Sequence, residues 1–78
     1  METQVTISEA TQQAAEDFLD KTGDHDPSGM YRLFVDELER PLLEVTMKHT
    51  RGNQSRAATI LSMNRATLRS KLKRHGLL

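Results

Sequence analysis

Seventy-eight residues without a cysteine bound the chain to one small domain with no disulfide and no thiolate metal site. A single core of this size supplies only about 3–5 kcal/mol, so a further staple is expected, and oligomerisation is the one left. Lysine plus arginine balance aspartate plus glutamate at 11 each, but residues 1–50 hold every acid and only Lys21, Arg32, Arg40 and Lys48, whereas residues 51–78 hold seven bases and no acid. A net charge of −7 is thus followed by +7, the pattern of a polyanion-binding segment on an acidic body.

The apolar runs are too short for a signal peptide or a membrane span, so a cytoplasmic protein without membrane contact is expected. His25, His49 and His75 lie 24 and 26 residues apart, outside helical ligand spacing, and are expected to be structural or solvated. No nucleophile–base set, phosphate loop or metal cluster is visible, which argues against an enzyme and against any cofactor or metal.

Residues 1–6 are short and polar and are expected to form a disordered tail. Ser8 is a candidate cap for a first helix reaching about Lys21, with Glu9 in its first turn. Ile7, Ala10, Ala14, Phe18 and Leu19 recur along it at helical spacing. "TGDHDPSG" then reads as a loop. A second, longer helix is expected over about 29–49. Met30, Phe34, Leu38 and Leu42 repeat every four residues, and Tyr31, Val35, Leu43, Val45 and Met47 widen the stripe. Pro41 interrupts it at a cost of about 3 kcal/mol, and because Arg40 is a poor cap, a kink is expected rather than a fresh start. The stripe is wider than the first helix can cover. A second copy of the chain would cover it in an intertwined dimer; the alternative is a monomer whose C-terminal half does so.

Gly52 is expected at the C′ position of this helix, with Asn53 capping a third over about 54–61. Ala57, Ala58, Ile60 and Leu61 are expected to face inward. "SMN" is a tight turn, Asn64 caps a fourth helix over about 65–74, and Gly76 closes it. Two short helices joined by a three-residue turn in the most basic part of the chain outline a helix-turn-helix. Leu61, Met63, Leu68 and Leu72 form its wedge, the last two within roughly 40° of each other around the helix. Arg65, at the end that enters the major groove in such motifs, can bind guanine O6 and N7 together. Asn64 can meet adenine or a phosphate, and Thr67 a thymine methyl or a phosphate. Lys71, Lys73 and Arg74 suit the flanking backbone, and the helix ends at Asn53 and Asn64 offer further phosphate sites. With all the acids upstream, this helix is expected to be free to face a polyanion. The same features fit a solvated basic face, an anionic membrane surface or a helical interaction module docked on an acidic protein, though two leucines and a methionine are a thin membrane anchor.

The stretch "PLLEVTMKHTRGNQSRAATILSMNRATLRSKLKRHG" (41–76) resembles the C-terminal half of the Fis family of bacterial nucleoid-associated proteins. "TRGNQSRAA" and "NRATLRSKLK" are its most specific parts, and a weaker likeness through "MYRLFVDELERPLLE" extends it to about residues 7–76. The resemblance implies an all-α, four-helix protomer in an intertwined homodimer with a C-terminal helix-turn-helix. Residues 1–50 would hold the tail and the dimerisation core, residues 51–78 the DNA-binding unit, all in one compact domain. Phe18, Met30, Phe34, Leu38 and Leu42 are the expected dimer core.

By likeness, Asn64 and Arg65 read bases. Arg51, Asn53, Gln54, Ser55, Arg56, Thr67, Arg69, Lys71, Lys73 and Arg74 match positions that hold phosphates or flanking DNA. The implied function is a DNA-bending transcription regulator acting on degenerate AT-rich double-stranded sites in the nucleoid, with RNA polymerase and other regulators as candidate partners. Three departures stand out. Family members with an N-terminal extension use it to stimulate recombinases; this chain begins close to its first helix, so weak or no stimulation is expected. Ser70 stands where a lysine is often found. Ser62 stands where a turn glycine is usual, at a cost of about 1–2 kcal/mol if its backbone is left-handed.

Overall fold

The computed structural model describes residues 5–23 and 25–78, so most of the expected tail and Asp24 of the expected loop lie outside the described residues. Its elements are four helices, α1 (Ile7–Lys21), α2 (Met30–His49), α3 (Gln54–Ile60) and α4 (Arg65–Arg74). The chain is all-α, and it divides into two units, one ending at Met30 and one spanning Tyr31–Leu78.

In the first unit the cap of α1 is Thr6, not Ser8. The Thr6 hydroxyl accepts the Glu9 N–H at 3.0 Å, and the Glu9 carboxylate accepts the Thr6 N–H at 3.3 Å. This reciprocal capping box satisfies two orphan donors, which Ser8, already inside the helix, cannot do. Residues 5 and 6 therefore lead into the helix rather than belonging to a loose tail. At the other end the Thr22 N–H donates to the Leu19 carbonyl, and Gly23 turns the chain with φ 65°.

In the second unit α2 is one continuous helix with Pro41 inside it, so no new helix begins there. Its wide apolar stripe separates into two faces. Leu43 is buried with Ala57, Ala58, Leu68 and Leu72, and Met47, Leu61, Met63 and Leu77 pack around them. Burying each leucine contributes about 1.5–3 kcal/mol, and the two alanines let α3 approach its neighbours closely. Thr46 and Thr50 are also buried, their hydroxyls donating to the carbonyls of Leu42 and Met47. Tyr31, Phe34, Leu38, Leu42 and Val45 fall in a sector of roughly 80° turned away from Leu43, at about 100° per residue. Tyr31, Leu38, Leu42 and Val45 of this group are exposed. Ile60, expected inside, is 52% exposed, because a seven-residue helix turns only its 57–58 and 61 side toward the core.

Three helices of the second unit end in the same way. Gly52, Met63 and Leu77 donate their N–H groups to the carbonyls of Met47, Ala58 and Leu72 at 2.8–3.0 Å. Arg51, Ser62 and Gly76 donate theirs to Lys48, Thr59 and Lys73. This is the Schellman termination, whose C′ residue must be left-handed. That residue after α2 is Arg51 (φ 53°), with Gly52 one position further on, so the expected placement of Gly52 at C′ is off by one. Ser62 (φ 56°) does adopt the left-handed backbone.

Candidate nucleic-acid interface

Side chains cap the start of both short helices. Asn53 Oδ1 accepts the Arg56 N–H at 3.0 Å, and Asn64 Oδ1 accepts the Thr67 N–H at 2.8 Å. These bonds fix where α3 and α4 begin and therefore place Arg65 as the first residue of α4, exposed. They also occupy one acceptor site of the Asn64 amide, whose NH₂ group remains a donor on an exposed residue.

Buried Leu68 and Leu72 set the orientation of α4 and divide its cations between two flanks. Arg65, Arg69 and Lys73 follow one another every four residues along one side, and no carboxylate among the described residues lies within ion-pair distance of them. Thr67 is exposed on the far flank. Arg51, Asn53, Ser55 and Arg56 are exposed around the start of α3. Gln54 is half-buried, its Oε1 buried without a partner among the described residues. Ser70, on the solvent side of α4, is exposed.

Lys71 and Arg74 have a different setting. Lys71 Nζ donates to Glu39 Oε2 at 2.9 Å, and Arg74 Nη2 donates to Asp36 Oδ1 at 2.6 Å. Arg74 Nη1 also lies 3.7 Å from Glu39 Oε1, and His75 Nε2 lies 2.8 Å from the same oxygen. Arg40 of α2 donates to the His75 carbonyl. The helix is therefore not wholly free of the upstream acids, since two carboxylates from α2 reach its C-terminal half. Glu39 holds its proton less tightly than an ordinary glutamate because the Lys71 and His75 hydrogen bonds favour the carboxylate, outweighing its partial burial. Asp36, Glu39 and His75 offer ligand atoms within 4.8 Å of one another, but Lys71 and Arg74 already neutralise those carboxylates.

Neither Asp36 nor Glu39 was singled out from the sequence. Their three-residue spacing on α2 puts both near the Leu43 side, but their partners lie more than 30 positions away. Of the expected dimer-core residues, Phe18, Met30 and Phe34 are half-buried, while Leu38 and Leu42 are about half exposed, at 52% and 48%.

Comparison with known proteins places this arrangement. The family model described as "Bacterial regulatory protein, Fis family" matches residues 34–75, which include α3, α4 and most of α2. A relative from Glaesserella parasuis, "DNA-binding protein Fis", is 46% identical over 71 residues, covering 91% of this chain and 72% of the relative. One of the same name from Psychromonas ingrahamii is 44% identical over 75 residues, covering 96% and 76%. Another from Yersinia enterocolitica is 41% identical, with the same coverage. With its capped α3–α4 pair inside the matched region, the chain belongs to the Fis family of bacterial regulatory proteins.

Proposed function

We propose that this regulatory protein is a homodimer that binds and bends double-stranded DNA. In this reading α3 and α4 form a helix-turn-helix that places α4 in the major groove. The observation that carries it is the stripe of Arg65, Arg69 and Lys73. Like charges four residues apart on a helix destabilise it by roughly 0.2–0.5 kcal/mol per pair, so two such contacts in one ten-residue helix work against folding. A line of phosphates turns that repulsion into affinity.

Arg65 and Asn64 face base edges, with Arg65 as the reader of guanine. Arg51, Asn53, Gln54, Ser55, Arg56, Thr67, Arg69 and Lys73 hold phosphates or flanking DNA. The outward apolar face of α2, with Tyr31 84% and Val45 68% exposed, supports pairing with a second copy through residues 1–50. The recognition helices of such a dimer sit closer than the roughly 34 Å turn of straight B-DNA, so binding bends the duplex and favours a compressible, AT-rich centre. This reading places the protein in the cytoplasm on the nucleoid, and among the described residues no helix is long and apolar enough to cross a membrane.

Titration of an AT-rich duplex at several salt concentrations tests it. A dimer neutralising about 6–10 phosphates gives log affinity a slope of about −5 to −9 against log salt. A salt-independent response, or binding to an acidic protein with no DNA shift, overturns the proposal.

A further inference from the structure

Two cations of α4 share an acidic partner helix and are about equally exposed, at 33% for Lys71 and 36% for Arg74, but their carboxylate partners are not. Lys71 and His75 meet Glu39 on the enclosed side, where the Glu39 side chain is 16% exposed and that of His75 is 8% exposed. Drawing Lys71 away would take the shorter of the two lysine and arginine contacts of Glu39, 2.9 Å against 3.7 Å to Arg74, from a carboxylate that is mostly enclosed, a costly arrangement. Arg74 and Asp36 meet at the rim, with side chains 36% and 37% exposed, where an ion pair is weak and easily exchanged. Asp36 also has a cation in reserve, because Arg32 Nε on the same helix lies 3.7 Å from its Oδ1. Losing Arg74 therefore leaves Asp36 paired.

We propose that Asp36 acts as an internal stand-in for a DNA phosphate, holding Arg74 in the free protein and yielding it to the backbone of bound duplex, while Lys71 stays locked on Glu39 as a positioning residue for α4. The proposal rests on the DNA-binding reading and assigns the two cations different fates. Arg74 contributes to grip only after giving up Asp36, so Asp36 lowers affinity without touching DNA. Lys71 contributes orientation and takes no phosphate.

The test is duplex affinity against salt for the full chain and for Arg74→Gln, Lys71→Gln, Asp36→Asn and the Asp36→Asn/Arg74→Gln pair. Arg74→Gln should make the log–log slope shallower by about 0.9 per protomer, the loss of one phosphate contact. Lys71→Gln should leave the slope unchanged. Asp36→Asn should tighten binding roughly two- to five-fold per protomer, the range a surface pair's strength allows. That gain should vanish when Arg74 is already Gln; a gain that persists reflects the general loss of a negative charge and overturns the exchange. An unchanged slope in Arg74→Gln, or an equal loss of slope in Lys71→Gln, also overturns it while leaving DNA binding intact. If the unsubstituted protein binds no duplex, the functional reading fails and takes this proposal with it.

Discussion

Arg51 and Ser62 hold the same position in two successive helix endings, each with a left-handed backbone at φ 53° and 56°. Gly76 fills that position after α4 without strain, since it lacks a Cβ. Ser62→Gly should relieve about 1–2 kcal/mol of backbone strain and give back about 0.5–1 through the entropy of the unfolded chain. The difference, about 0.75 kcal/mol at the middle of these ranges, should raise the melting temperature by roughly 3–6 °C in a thermal unfolding scan. Arg51→Gly should stabilise the fold similarly but weaken DNA binding; a variant that gains stability with unchanged affinity removes Arg51 from the interface.

Acid should loosen the α2–α4 junction through Glu39. Its folded-state proton affinity is lowered, so its contribution is complete above about pH 4.5, the ordinary glutamate value, and is lost as pH falls through the lower folded value. Denaturant unfolding at a series of pH values should show stability falling through this window. Glu39→Gln should flatten that part of the profile, and an unchanged profile counts against the network as a source of stability.

At the start of α1, Thr6→Ala should cost the helix about 1 kcal/mol, because the Thr6 hydroxyl both accepts the Glu9 N–H and donates to the Glu9 carboxylate. Ser8→Ala should change little. Amide exchange in the first turn of α1 separates the two, and equal effects would contradict the assignment of the cap.

Arg65→Ala should erase preference between sequences worth about 1–3 kcal/mol at a guanine position. Lys73→Ala should weaken every sequence alike and reduce the salt slope. A competition assay with matched and scrambled duplexes tells these outcomes apart, and identical behaviour would reject the division into reader and grip.

The two faces of α2 should respond differently to substitution. Leu43→Ala opens a cavity in a core with five buried apolar residues among the described ones and should cost about 2–5 kcal/mol, enough to unfold much of the second unit. Val45→Glu, on the exposed face, should leave the helices intact and move the mass measured by light scattering from two chains to one. An unchanged mass places the dimer contact elsewhere.

What the sequence made legible was mostly local. Asn53, Asn64 and Gly76 could be placed because a cap or a left-handed terminator acts within three or four residues of itself. The same logic covers Thr6-Ile7-Ser8-Glu9, an equally local capping-box pattern in which Ser8 competes with Thr6 as the apparent cap. Arg51 was obscured by the glycine beside it, which satisfies the usual preference one position too late. The apolar stripe of α2 reads as a single feature until Leu43 finds partners on α3 and α4, contacts that periodicity alone does not specify. The Asp36–Arg74 and Glu39–Lys71 pairs were illegible for a plainer reason. Each joins residues over 30 positions apart, and a balanced charge count does not say which acid meets which base.

The placement of Leu43 on one side of α2 and Val45 on the other makes that helix a wall one helix thick, about 10 Å, between the reading unit and the face offered to a second copy. In the proposed dimer, the gauge between the two reading units is therefore a property of α2 rather than of any flexible joint. A protein built on such a fixed gauge does not adjust to its target. The duplex has to conform, and sequences that deform cheaply are bound in preference to those that merely present the right bases.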